Sequence, residues 1–144
     1  VTAALRRFLA LPRSEQGRTA EAALCLLAVR LVFAVLPLQR ALQLFGIVQG
    51  AASAGRQAAR EAEDIGRAIT RAARHVPFRA ICLQQAFAAL LMLRRRGLTA
   101  TVHLGLAREG TSGLKAHAWS RSGEQPVTGE PQARDFVPVA AFSA

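Results

Sequence analysis

Apolar residues recur along the first two thirds of the chain at spacings of three and four, and beyond Gly97 at a spacing of two. The first period belongs to helices and the second to strands with one buried face. Leu5 to Leu11 is a short amphipathic segment, with Arg6 and Arg7 beside Leu5, Phe8 and Leu9. Pro12 to Gly17 is polar and reads as a loop, with Ser14 or Thr19 placed to cap the helix that follows. Ala20 to Val48 is the most apolar stretch, and Pro37 divides it into two expected helices, 20–36 and 38–49. Proline is tolerated in the first turn of a helix and disrupts its interior. Both helices are apolar nearly all round, which predicts deep burial or docking on another protein. Gly50 to Gly55 is a small-residue break. From Arg56 to His75, one helical face carries Ala58, Ala62, Ile65, Ile69, Ala72 and Val76, while Glu63 and Arg67 pair on the wet side. Pro77 ends this helix.

Ile81 to Leu93 predicts a further helix, rich in Ala and Leu and closed by Arg94-Arg95-Arg96-Gly97. Cations suit the negative end of the helix dipole, and glycine suits the left-handed terminating position. The Arg triplet reads as a solvated helix end in preference to a nucleic-acid contact. Thr99, Thr101 and His103 then alternate with Ala100, Val102, Leu104 and Leu106, the pattern of a half-buried strand. Arg108 to Gly113 (REGTSG) is a hairpin loop, Leu114 to Ser120 a second strand, and Ser122-Gly123 a turn. Pro126 to Gly129 and Phe136 to Phe142 are further short strands. The expected fold is α+β: a helical N-terminal region, 1–75, for packing and partner docking, and a core, 76–144, of one helix and an antiparallel meander.

The length of 144 residues suits one domain, and the 51% hydrophobic content excludes a disordered chain. Aromatic residues are only 6% and Tyr is absent, so the core must be built mainly from Ala, Leu and Val. Of the 19 cationic side chains only Lys115 is lysine; against nine acids they give a net charge of +10. That balance suggests an anionic partner, such as nucleic acid, a lipid surface or an acidic peptide. Arg30, Pro37, Gln39 and Arg40 interrupt the apolar stretch, so no transmembrane span is expected. A signal peptide is not expected either, because the apolar run begins too late. Cys25 and Cys82 stand 57 positions apart with no CxxC and no Cys/His cluster, which supports neither zinc nor a disulfide framework. A lone disulfide stays open, and a reduced cytoplasmic protein is the simpler reading.

Candidate chemistry centres on Cys82, in the first turn of the helix after Pro77. Unpaired N–H groups at a helix start favour a thiolate, and a nucleophilic thiolate needs a base, usually His. His117 lies on the strand Leu114 to Trp119, sharing a face with Lys115 and Trp119 while Ala116 and Ala118 face the other way. Helix, strand and hairpin fill the 35 residues between Cys82 and His117 and can return the strand to the helix start. Residue types and spacing alone favour the plainer reading of a buried cysteine and a hydrogen-bonded strand histidine. His103 reads as an ordinary strand histidine, His75 as a dipole partner at a helix end, and Cys25, among Ala23, Leu24, Leu26 and Leu27, as an inert buried thiol.

The motifs shift that balance. Pro77-Phe78-Arg79-Ala80-Ile81-Cys82-Leu83, Leu93 to Ala100 around Arg94-Arg95-Arg96-Gly97, His103 to Arg108, and Ala116-His117-Ala118-Trp119 occur in that order. Together they resemble the protease component of lasso-peptide biosynthesis, the B protein, in the split form whose leader-recognition domain is a separate chain. The resemblance covers roughly residues 76–142 and implies a papain-related, transglutaminase-like core. It implies Cys82 as nucleophile and His117 as general base and acid, with the Cys82 N–H as oxyanion donor and Trp119 packed beside the imidazole. The family's third member is usually an Asp about a dozen residues past the His, where this chain has Thr128-Gly129-Glu130. Glu130 is the expected substitute, with Asp135, a backbone carbonyl or water as alternatives. The implied partners are a lasso precursor peptide, bound through its leader, a leader-recognition protein and an asparagine-synthetase-like cyclase; no cofactor and no metal are implied.

Two other functions fit parts of the pattern. A transglutaminase-like acyl transferase would use the same Cys82 and His117. A non-enzymatic basic module would bind nucleic acid, but the arginines are scattered, stacking aromatics are scarce and no recognition motif is present.

Overall fold

In the computed structural model, which describes residues 2–46, 48–49 and 56–143, helices come first and a sheet follows. The order is α1 (Thr2–Leu9), α2 (Arg13–Val35), α3 (Leu38–Leu44), β1 (Val48–Gln49), α4 (Arg56–Ala73), α5 (Cys82–Arg95), β2 (Thr101–Glu109), β3 (Gly113–Ser122), β4 (Gln125–Thr128), α6 (Glu130–Ala133) and β5 (Val137–Ser143). This is the expected α+β layout. No helix among the described residues is long and apolar enough to cross a membrane.

The periodic stripe of α4 is buried as its spacing predicts, at Ala58, Ala62, Ile65, Ile69 and Ala72. It meets α2 and α5, and one hydrophobic cluster joins Leu26 and Val29 of α2, Ile65 and Ile69 of α4, Phe87 and Leu90 of α5, and Val102 and Ala118 of the sheet. The core therefore runs across the expected boundary between 75 and 76. Phe33 meets Phe87 edge to face at 5.2 Å, anchoring the end of α2 on α5.

Three local expectations change. The polar run 12–17 is not a loop: α2 starts at Arg13, directly after Pro12, and passes through Gly17. Thr19 does not cap it; its Oγ1 donates to the Glu15 carbonyl one turn back, and Arg71 of α4 holds both Glu15 and Thr19 at 3.0 Å. The helix expected over 38–49 stops at Leu44, with Gly46 at φ 64, and 48–49 pairs with β5 as a strand. The small-residue break at 50–55 lies outside the described residues.

The sheet is antiparallel in the order β1-β5-β2-β3-β4. The meander holds for β2, β3 and β4, but β5 returns to the far side of β2. The outer side of β4 is closed to it by α4, where Gly66 lies so near the Val127 carbonyl that a Cβ would stand 2.4 Å from the oxygen. A helix laid along an edge strand covers its unpaired groups and blocks further pairing.

Arg94-Arg95-Arg96 is not simply a solvated end. Arg96 donates to both carboxylate oxygens of Glu21 at 2.7 and 3.0 Å, to Glu61 at 2.8 Å and to the Met92 carbonyl at 2.9 Å. Arg18 reaches Glu61 at 2.8 Å and Asp64 at 3.5 Å, so the network ties together α2, α4 and the end of α5. Arg94 donates to the Phe45 carbonyl, and Arg95 is the member left mostly in water. The Arg96 hydrogen bond holds the Glu21 carboxyl below its usual range, against the opposing effect of burial. Burial pushes Glu61 upward, but hydrogen bonds and charge from Arg18 and Arg96 outweigh it and leave this carboxyl lowered too.

Candidate active site

The segment before α5 is extended, with Ile81 at φ −73 and ψ 163, so the helix opens abruptly at Cys82. Gln84 Oε1 accepts the Ile81 N–H at 3.3 Å, and Gln85 Nε2 donates to the Ala80 carbonyl at 2.8 Å. These two glutamines secure the turn into the helix without a capping Ser, Thr, Asp or Asn. The N–H groups of the first helical turn have no carbonyl four residues back within the helix, and that of Cys82 is among them.

His117 arrives from β3. In the β2–β3 register His117 stands opposite Gly105, and Trp119 opposite His103. The rings of His103 and Trp119 stack at 5.5 Å, those of His117 and Trp119 at 6.0 Å, and Phe136 lies 5.1 Å from the imidazole of His117. Gly105 makes this possible, since a Cβ there would come within 2.9 Å of both the Trp119 ring and Phe136.

After β4 the chain turns at Gly129, whose φ of 72 is strained for any residue with a side chain. The turn aims the Gly129 carbonyl at His117 Nε2, 2.8 Å away. A carbonyl can only accept, so in the neutral imidazole the proton is on Nε2 and the lone pair is on Nδ1. A Cβ on Gly129 would also stand 2.7 Å from the Ala118 carbonyl and 3.0 Å from Nε2. Both conformation and space require glycine here.

Cys82 and His117 line one cavity of about 410 Å³, together with Gln85, Thr128, Gly129 and Gln132 among others. Glu130 is not brought to His117. Its carboxylate is held by Arg121, through Nε at 3.0 Å and through Nη2. A bidentate guanidinium–carboxylate pair is stronger than a bond to a neutral imidazole. Asp135 lies in the turn after α6 and forms no ion pair among the described residues. Of the alternatives open at the third position, the backbone carbonyl is the one in contact with the ring. Sequence reading did not single out Gly129; a glycine between a strand and a Glu-Pro helix start was its one signal.

Elsewhere, burial lowers the His103 pKa, the Arg121 charge adds to this, and Glu130 opposes it. Cys25 is buried, and burial followed by the nearby Glu21 raises its thiol pKa, which keeps it protonated. Both cysteines are free thiols, so the lone disulfide left open above is not formed. Among the described residues no group of three His, Cys, Asp or Glu side chains is placed to hold a metal ion.

Residues 7–141 match the family model described as the transglutaminase-like superfamily. Neither a search of curated proteins nor one of solved structures gives a significant match.

Proposed function

Because the chain belongs to the transglutaminase-like superfamily, whose members are usually cysteine-based enzymes, we propose that it is a cysteine peptidase. Its substrate is a ribosomally made lasso-peptide precursor, from which it removes the leader. The observation that carries the reading is the shared cavity of Cys82 and His117, with the imidazole oriented by the Gly129 carbonyl. The AHAW motif and the Arg-rich helix end add to it through the resemblance described above.

In this mechanism His117 takes the Cys82 thiol proton on Nδ1. The thiolate attacks the carbonyl carbon at the leader–core junction, and the carbonyl electron pair moves to oxygen, facing the Cys82 N–H. As the tetrahedral species collapses, the C–N bond breaks and the imidazolium protonates the leaving amine. Water, deprotonated by His117, then hydrolyses the thioester and restores the thiolate. Gly129 positions the ring through its carbonyl, and Glu130 serves the Arg121 pair.

The working partners in this reading are the precursor, a separate leader-recognition protein that presents the leader, and the asparagine-synthetase-like cyclase that receives the core; the setting is the cytoplasm. Incubation of a precursor peptide with this protein and the recognition protein, read by mass spectrometry, tests it. Free leader and free core are expected with the native chain and neither with Cys82→Ala. A leader joined to another acceptor identifies an acyl transferase instead, and normal cleavage by the alanine variant removes Cys82 as nucleophile.

A further inference from the structure

Gln85 shares the cavity with Cys82 and His117, and it projects from α5 one turn beyond Cys82. Side chains on a helix lean toward its N-terminus. The Nε2 bond to the Ala80 carbonyl, at 2.8 Å, draws the carboxamide back past the first turn. At about 1.5 Å of rise per residue, this brings an amide from residue 85 level with the Cys82 backbone. A primary amide has two N–H donors. One is committed to Ala80, and among the described residues the side chain makes no other hydrogen bond. The bond to Ala80 tethers the carboxamide beside the first turn of α5 and leaves its second donor available in the cavity.

We propose that Gln85 is a catalytic residue, its free N–H joining the Cys82 backbone N–H as a two-donor oxyanion site. The proposal rests on the reading of Cys82 as nucleophile. When the thiolate adds to an acyl carbon, the C–S bond forms and the carbonyl π pair becomes an oxyanion, which the two N–H groups then bind. On collapse the oxygen returns to a carbonyl and the leaving group departs with the electron pair of its bond to carbon. Ground-state carbonyl and thiolate do not need the Gln85 donor, so its effect falls on the steps that pass through a tetrahedral oxyanion, acylation and thioester hydrolysis, and not on a displacement at saturated carbon.

Two small reagents separate the roles without a natural substrate. p-Nitrophenyl acetate acylates a thiolate through a tetrahedral oxyanion and releases p-nitrophenolate. Iodoacetamide alkylates the same thiolate by displacement of iodide, and no oxyanion forms. Gln85→Met, similar in size and lacking N–H donors, is expected to slow acylation about 10- to 100-fold while alkylation stays within about twofold. Equal slowing of both reactions, or no slowing of acylation in a variant with native circular dichroism, overturns the proposal. Acylation that persists in Cys82→Ala overturns the nucleophile assignment itself, a separate failure from that of Gln85.

Discussion

Helices α2 and α5 have similar compositions and opposite positions. Both are runs of Ala and Leu, yet α5 buries eight of its 14 residues and α2 only five of its 23. The difference comes from what surrounds them. α5 is enclosed by α2, α4 and the sheet, so five consecutive residues, Ala86 to Leu90, which run all round the helix, are covered. α2 has neighbours on one flank, and its stripe Ala22, Cys25, Leu26 and Val29 turns inward while Leu24, Leu31 and Val35 remain 68%, 57% and 79% exposed. Apolar content alone cannot distinguish a central helix from an outer one; the number of elements left to cover it decides.

The sharpest way to break this contrast is to truncate each helix at a large side chain. Phe87→Ala removes a fully buried ring that touches Phe33 and Phe45, and a loss of about 3–5 kcal/mol is expected in urea unfolding. Arg96→Ala deletes the guanidinium that joins Glu21 and Glu61 at the end of α5, with an expected loss of about 2 kcal/mol by the same measurement. The pH dependence of stability tests that junction next. Glu21 and Glu61 titrate below their usual range when folded, so their stabilisation is complete above the ordinary glutamate value of about 4.3 and is lost as pH falls through the lowered folded values. Unfolding midpoints measured from pH 7 down to acid will fall more steeply for the native chain than for Arg96→Ala. At the small end, Leu31→Ser on the outer face of α2 is expected to change stability by less than about 0.5 kcal/mol. A loss of several kcal/mol at Leu31 would mean that this face is covered.

The parts of the fold legible in the sequence are those whose pattern is local. The stripe of α4, the span of α5, the positive-φ Gly97 and the β2–β3 hairpin follow from periodicity and turn chemistry. What the pattern misplaced depends on distant partners. Arg71 of α4 secures Glu15 and Thr19, and with them the first turns of α2 across Gly17; Glu21 and Glu61 engage Arg96 from two other helices. The same division runs through the candidate site. Cys82 and His117 sit on elements that periodicity locates, and the structure brings both to one cavity. The partner of His117 is a main-chain oxygen whose direction depends on a left-handed turn, and the expected Glu130 is taken by Arg121.

That main-chain acceptor sets how the imidazole responds to solvent. A carboxylate in its place would gain a proton in acid and change from acceptor to donor, whereas an amide oxygen keeps the same character throughout the working pH range. The acceptor that holds His117 therefore carries no ionisation of its own and belongs to no side chain; with the ring in place, the bond is lost only when the Gly129 turn shifts.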